Sequence, residues 1–188
     1  MDRPVRSIVI GCALGAAIAM SGCVGGGEEE QATTTQASKG GREIHPEDNC
    51  DPATFGALCS PAFHGTTTLA QFTAELDATQ RVAAWEYGGG QGNVSGGTPL
   101  QVDNHGGETH TFTVVAKFGG GRVPILNQKS GNDVVAPECV AGANATNVDI
   151  PSGSGIAVST GASGTLKPGT YNVQCCIHPW MRTTVVVK

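Results

Sequence analysis

The sequence carries little charge. Lys, Arg, Asp and Glu make up 14% of its 188 residues, compared with roughly 25% in an average soluble protein. No basic patch is present and the formal net charge is -5, which argues against nucleic-acid binding. Phosphate-binding fingerprints are also missing. The Gly-Gly-Gly runs at 88–90 and 119–121 lack the Lys-Ser/Thr pair or the spaced glycines that such loops need.

No apolar run is long enough for a membrane-spanning helix. The N-terminal run, 7–20, has about 14 residues, whereas a span needs about 20. Arg3 and Arg6 precede it, which is the pattern of a secretory signal. Small residues then stand directly before Cys23 and resemble a bacterial-type lipobox, predicting cleavage before Cys23 and lipidation of its thiol. The alternative is an ordinary signal peptide with an incidental cysteine.

These features predict four segments. Residues 1–22 form the lipoprotein signal peptide, and 23–44 form a flexible tether whose Gly, Glu, Thr, Gln and Ser cannot bury an apolar face. Residues 45–80 form an N-terminal extension with a disulfide, and 81–188 form the main domain. The protein is therefore expected to be exported and anchored to a membrane, facing the periplasm or the cell exterior.

The 28 glycines argue against helical bundles, because glycine is costly inside helices. Strand-like runs separated by turn residues predict an all-β sandwich; they are 81–87, 99–104, 109–118, 122–126, 146–150, 155–160, 169–174 and 183–188. Leu69, Phe72 and Leu76 are spaced for one helix face. They predict a short helix in the extension, starting after Thr67 or Thr68 as its cap.

Seven cysteines are present: Cys12, Cys23, Cys50, Cys59, Cys139, Cys175 and Cys176. The first leaves with the signal peptide and the second takes the lipid, so an odd number remains. Export permits disulfides, and an odd remainder points to one thiol with another function. Cys50 and Cys59 could close a small loop, and Cys139 could pair with Cys175 or Cys176.

A soft ligand set lies near the C-terminus. Cys175, His178 and Met181 stand three residues apart between two strand-like runs. A thiolate, an imidazole and a thioether together favour copper, and zinc less so. A tight loop between neighbouring strands can turn all three side chains toward one point. A regular strand cannot, because its side chains alternate between faces.

A second nitrogen ligand is expected upstream, because blue-copper sites combine two His, one Cys and a distant Met. His110 has the same parity as Phe112 and Val114 in the following strand, so we expect its ring on the buried side. His105 is the rival, but it lies beside two glycines in a presumed loop and is expected to be exposed. His45 and His64 are expected to be solvated, and no further His/Cys cluster is expected.

Two motifs carry a family resemblance: Asn104-x5-His110-x-Phe112 and Tyr171-x3-Cys175-x2-His178-Pro179-x-Met181. They resemble the type 1 copper proteins, the cupredoxins. The ligand loop is most similar to the amicyanin type, and the rest of the pattern is shared with plastocyanin-like proteins. The resemblance covers about 81–188. It implies a Greek-key β-sandwich holding one copper ion, cycling between Cu(I) and Cu(II), through His110, Cys175, His178 and Met181.

The resemblance also implies that Cys175 is the thiolate ligand, because it has the two-residue gap to His178. Cys176 is then free to pair with Cys139, whereas a Cys175–Cys176 disulfide would destroy the site. Thr111 follows the first His where family members often have an Asn that bridges the two ligand loops. Its hydroxyl is expected to serve similarly.

The predicted function is electron transport: a membrane-tethered blue copper protein that shuttles single electrons between redox partners. No ligand position is left open for a small-molecule substrate, so the chain is not expected to be an enzyme. By resemblance, partners are expected to dock on an apolar patch near His178, Pro179 and Trp180. The alternative is copper storage or delivery. It is disfavoured because two of the three Met residues belong to the signal.

Overall fold

The computed structural model describes residues 43–89, 92–142 and 144–188; the predicted signal peptide and nearly all of the predicted tether lie outside these ranges. The strands are β1 (Glu43–Glu47), β2 (Glu86–Gly88), β3 (Gly92–Val94), β4 (Leu100–Asp103), β5 (His110–Val115), β6 (Asn147–Ile150), β7 (Gly155–Val158), β8 (Gly169–Gln174) and β9 (Arg182–Val187). The helices are α1 (Pro52–Phe55), α2 (Leu69–Thr79), α3 (Pro124–Lys129) and α4 (Pro137–Val140), with a 3-10 turn at Gly56–Leu58. Within the described ranges, none of these helices has the length and apolar character to span a bilayer.

The strands form two sheets. One has the order β2-β1-β4-β7 and the other the order β3-β9-β8-β5-β6. Apolar side chains from both sheets bury each other in one cluster: Ile44, Val94, Leu100, Val102, Phe112, Ile150, Val158, Leu166, Val173, Val185 and Val187. Branched residues dominate it, and their stiff side chains suit a pleated surface. The predicted all-β sandwich is confirmed, and the structure has a few short helices where the sequence predicts one.

Strand β1 lies inside the four-stranded sheet, antiparallel to β2 and parallel to β4. The sequence pattern does not predict it, because its residues fall in the expected tether and extension and Pro46 is unfavourable within a strand. Its side chains nevertheless alternate: Ile44, Pro46 and the following Asp48 are buried, whereas Glu43 is exposed. The segment before residue 81 thus contributes a strand to the sandwich.

Helix α2 is the predicted helix of the extension. The Thr68 hydroxyl accepts a hydrogen bond from the Gln71 N–H, and the Gln71 side chain accepts one from the Thr68 N–H. This capping box fixes the start of the helix. Gln80 ends it in the left-handed conformation, with φ of 61°. The helix buries Phe72 and Leu76 and leaves Leu69 exposed, so the predicted apolar face is confirmed for two of its three residues.

The strand predicted at 122–126 is wrong, since Pro124 begins α3 instead. Proline suits the first turn of a helix because its missing N–H would have no partner there. The buried Asn127 side chain accepts a hydrogen bond from the Gly121 N–H and donates one to the Gly121 carbonyl. These two hydrogen bonds hold the helix against the segment that precedes it.

A second apolar cluster joins the N-terminal segment to the loop 175–181, which carries three of the predicted ligands. Its buried members are Cys50, Phe55, Cys59, Phe72, Leu76, Val82, Trp85, Cys175 and Met181. The predicted Cys50–Cys59 disulfide is present. Gly107 packs on it so closely that an added Cβ would come within 2.5 Å of the Cys50 sulfur. The disulfide loop therefore lies directly against the β4–β5 loop, which leads to His110.

Candidate metal centre

The ligand loop 175–181 connects two neighbouring antiparallel strands. β8 and β9 pair as far as Gln174 opposite Arg182. The loop is then closed by hydrogen bonds from the Cys175 N–H to the Met181 carbonyl, 3.0 Å, and from the Met181 N–H to the His178 carbonyl, 2.9 Å. This is the tight turn that the sequence spacing predicts. It brings the Cys175 sulfur to 3.9 Å from His178 Nδ1.

Three of the four predicted ligands come together. The Cys175 Sγ lies 3.8 Å from His110 Nδ1 and 3.9 Å from His178 Nδ1. His110 and Cys175 are fully buried and His178 is 2% exposed. His110 is the first residue of β5, on the sheet face that the parity with Phe112 predicts. His105, the rival, is exposed outside this group.

The spacing fits a single metal ion. With bonds of about 2.3 Å to sulfur and about 2.0 Å to nitrogen, an S–metal–N angle near 120° separates sulfur from nitrogen by about 3.7 Å. The two measured separations are 3.8 Å and 3.9 Å. Among the cysteines that the structure describes, Cys175 alone is free. One thiolate and two imidazoles are a donor set that suits copper and zinc.

The surroundings of Cys175 favour the thiolate, which is the form that binds metals. Burial by itself raises the pKa of the thiol, but hydrogen bonds and charges from His178 and His110 outweigh burial and hold the Cys175 pKa well below its usual range. Burial likewise lowers the pKa of His178, yet the Cys175 thiolate and Glu108 raise it to about 9. The sulfur and the two rings therefore stabilise one another as a charged group.

Met181, the fourth predicted ligand, is 1% exposed and packs in the same apolar cluster as Cys175. It is the last residue before β9, where its backbone closes the ligand loop. Its thioether could supply a weak further ligand to a metal held by the other three residues.

No protein-family model matches the sequence, and a search of the curated proteins finds no significant match. Several solved structures are similar. A novel purple cupredoxin from Nitrosopumilus maritimus is 13% identical with a TM-score of 0.42, covering 78% of this chain and 98% of that one. The reduced form of an amicyanin mutant is 18% identical with a TM-score of 0.36, covering 57% and 78%. A Cu(I) form of another amicyanin mutant is 17% identical, with a TM-score of 0.35 and the same coverage.

At these identities and TM-scores the likeness carries no conclusion about this chain. The roles of individual residues rest on the geometry of the site.

The adjacent thiol, Cys176, forms a disulfide with Cys139. Of the two partners that the cysteine arithmetic left open for Cys139, the structure selects the one that frees Cys175. Gly121 approaches the same stretch so closely that an added Cβ would lie 2.1 Å from the Cys176 carbonyl oxygen. The disulfide and this contact fix the backbone directly after the candidate thiolate.

Thr111 bridges the two ligand segments as the resemblance implies. Its buried hydroxyl oxygen accepts a hydrogen bond from the Cys176 N–H at 2.8 Å. Since Thr111 follows His110 and Cys176 follows Cys175, this bond joins the residues immediately after two candidate ligands. It connects β5 to the ligand loop.

A carboxylate orients His110. Asp48, from the end of β1, accepts a hydrogen bond from His110 Nε2 at 2.9 Å, and both side chains are fully buried. Burial raises the pKa of a carboxyl group, but bonds from His110 and from the N–H groups of Cys50 and Glu108 outweigh it and lower the Asp48 pKa. An ionised carboxylate only accepts, so Nε2 carries a proton and Nδ1 is the ring nitrogen that faces the Cys175 sulfur. Carboxylates commonly hold metal-binding histidines in this way.

A second carboxylate faces His178. Glu108 Oε2 lies 3.3 Å from His178 Nε2 and accepts a hydrogen bond from Trp85 Nε1 at 2.5 Å. The Glu108 N–H in turn donates to Asp48 Oδ2 at 2.8 Å. The Nε2 atoms of both candidate histidine ligands therefore face a carboxylate, and the two acidic residues are hydrogen-bonded to each other.

His178, near which partners are expected to dock, is buried. It is 2% exposed, because aromatic side chains cover its ring: Phe72 at 6.5 Å and Trp180 at 5.5 Å between ring centroids. Phe72 itself packs edge-on against Trp85 at 4.8 Å. The N-terminal segment thus forms a cover over the ligand loop.

Sequence reasoning missed Asp48, Glu108 and the cover. Asp48 follows the buried residues Ile44 and Pro46 at intervals of two, so strand parity could have placed it inside. This alternation was not recognised because Pro46 makes the segment look unlike a strand. Nothing in the local pattern around Glu108 distinguishes it from a solvated loop residue. It is buried in contact with Trp85, His178 and Asp48, all distant in sequence.

Phe72→Ala is expected to lower the free energy of unfolding by about 3–5 kcal/mol, the usual cost of truncating a buried aromatic side chain. Phe72 is 6% exposed and contacts Phe55, Trp85 and Trp180. Chemical denaturation with intact disulfides measures the change. Leu69→Ala, on the same helix but 42% exposed, is the control and should stay within about 0.5 kcal/mol. Equal effects of the two changes would show that the cover is not packed as described.

Proposed function

We propose that this protein is a membrane-tethered electron carrier that uses one type 1 copper ion held by His110, Cys175, His178 and Met181. The observation that carries the proposal is the buried Cys175 sulfur, placed 3.8 Å and 3.9 Å from two histidine Nδ1 atoms in surroundings that favour the thiolate. Copper bound by such a set supplies a one-electron couple between Cu(I) and Cu(II).

The protein residues keep the ligands in place. Asp48 and Glu108 fix the two imidazole rings, and the Cys139–Cys176 disulfide fixes the ligand loop. None of the four proposed ligands is more than 2% exposed. Such burial keeps water and substrates away from the ligands, which supports electron transfer through the protein surface and not chemistry on a bound molecule. Rigid ligands also reduce the rearrangement that accompanies electron transfer.

The proposed electron route leaves through the residues that cover His178. Trp180 is partly exposed and lies 5.5 Å from the His178 ring between centroids, and Pro179 is between them in sequence. Redox partners would dock on this surface through a small, transient interface. The lipid on Cys23 and the tether 23–44 belong to the same proposal, and would let the domain meet partners at a membrane facing the periplasm or the cell exterior.

Voltammetry together with copper transfer tests the carrier proposal against copper delivery. For the copper-loaded protein we expect a reversible one-electron wave. We also expect the bound Cu(I) to move only slowly to a competing chelator such as bathocuproine, because the ligands are buried. Rapid loss of copper to the chelator, with no reversible wave, would support storage or delivery and contradict the carrier proposal.

A further inference from the structure

A second group of metal-binding side chains lies on the outer face of the four-stranded sheet. Glu43, His45 and His105 each offer a ligand atom, and these atoms all lie within 4.8 Å of one another. His105 is far from the other two residues in sequence, so the spacing gave no sign of a cluster. We propose that they form a second site, which binds a divalent cation, Cu(II) most tightly and Zn(II) next.

The backbone brings these residues together. Glu43 and His45 are two apart on β1, so their side chains share its outward face. His105 comes from the β4–β5 loop, where its N–H donates to the Pro46 carbonyl of β1 at 3.0 Å. Gly89, with φ of +86°, packs against His45, since an added Cβ there would lie 2.9 Å from the His45 ring. The cluster is therefore built on paired strands and fixed loops.

His45 has a nitrogen without a hydrogen-bond partner. Its Nδ1 is buried and, within the part of the chain that the structure describes, accepts or donates no hydrogen bond. The nearest carboxylate oxygen, Glu43 Oε1, is 3.7 Å away, which is too far for a hydrogen bond. Buried polar atoms are normally paired. A metal ion between Glu43 and His45 would satisfy this nitrogen and the carboxylate together.

The rings of His45 and His105 stack, with centroids 4.0 Å apart and planes 17° apart. Ligand atoms of a tetrahedral site with bonds of about 2.0 Å are about 3.3 Å apart. Rotation of the two exposed side chains, Glu43 and His105, closes the remaining gap without moving a strand. Their exposure also leaves room for water as a further ligand.

The donor set determines which cation this site prefers. Two imidazoles and one carboxylate, with no sulfur, suit borderline divalent ions and not Cu(I). Affinity for such ions peaks at Cu(II) among the first-row metals, with Zn(II) below it. The outer site therefore differs in chemistry from the thiolate site. The two sites are connected through the backbone. Asp48 directly follows β1, and Glu108 lies in the same β4–β5 loop as His105.

Cu(II) titration of the full-length protein, after one equivalent has filled the first site, tests the proposal. We expect a second equivalent to bind and to give an EPR spectrum with large copper hyperfine splitting, without added blue absorption. His105→Ala should weaken this second binding by at least about tenfold and leave the first unchanged. His64→Ala, which alters an exposed histidine outside the cluster, is the matched control.

A Zn(II) titration followed by NMR of the histidine ring protons separates this proposal from the copper-carrier proposal. Zn(II) should shift the signals of His45 and His105 together, whatever metal the thiolate site takes. Binding of one equivalent only, or a second equivalent with equal affinity in wild type and His105→Ala, would overturn the second site. Failure of the blue colour with normal Zn(II) shifts at His45 would contradict the carrier proposal alone.

Discussion

Replacing Cys175 with serine is expected to abolish the intense visible absorption of the Cu(II)-loaded protein and its narrow copper hyperfine splitting. Both features come from the bond between copper and a thiolate, and Cys175 is the free cysteine of the described chain. The serine hydroxyl keeps the size of the side chain but is a hard, neutral donor. Visible and EPR spectra of wild type and Cys175→Ser, each with one equivalent of Cu(II), measure the difference.

The matched control removes the neighbouring sulfur instead. Cys139→Ser/Cys176→Ser deletes the disulfide and leaves no partner with which Cys175 could mispair in that loop. We expect the blue colour to persist and the free energy of unfolding to fall by about 2–5 kcal/mol. A blue Cys175→Ser protein, or a colourless double variant that is still folded, would show that the thiolate is assigned to the wrong cysteine.

Asp48→Asn is expected to weaken copper binding by about 10–100-fold, as the loss of partners behind metal-bound histidines does. Asp48 accepts hydrogen bonds from His110 Nε2, the Glu108 N–H and the Cys50 N–H. An amide has one acceptor oxygen, so in either orientation its NH₂ group faces at least one of these donors. The buried donor left without a partner costs about 1–3 kcal/mol of stability.

The same change removes a negative charge next to the site. A carboxylate stabilises Cu(II) more than Cu(I), so the reduction potential of Asp48→Asn should rise. Competition with a copper chelator measures the affinity, and voltammetry measures the potential. Asp133→Asn, at an exposed position, is the control for loss of one negative charge. Equal affinities and potentials in the two variants would contradict the role of Asp48 in orienting His110.

The candidate ligands could be predicted from the sequence because they depend on local geometry. Cys175, His178 and Met181 lie in one loop between adjacent strands, and His110 needs only the parity of its own strand. The thiol left over by an odd cysteine count identified the site, and the structure confirms the pairing of Cys50 with Cys59 and of Cys139 with Cys176. The spacing in the loop and the two-residue period of the strand are enough to place these candidate ligands.

The residues around the ligands could not be predicted in the same way. Asp48 reaches His110 across 62 positions of sequence, through a strand whose Pro46 hides it. The cover over His178 depends on Phe72 packing against Trp85 and Trp180, and these tertiary contacts leave no periodic signal in the sequence. The strand predicted at 122–126 failed because Pro124 starts a helix as readily as it tolerates extended backbone.

The most direct test of the copper assignment is X-ray absorption at the copper K edge on the full-length protein with one equivalent of copper. We predict one short copper–sulfur distance and two copper–nitrogen distances from imidazole rings, in both Cu(I) and Cu(II) forms with little change between them. A first shell without sulfur, or with two short sulfur distances, would contradict a site built on Cys175 with His110 and His178.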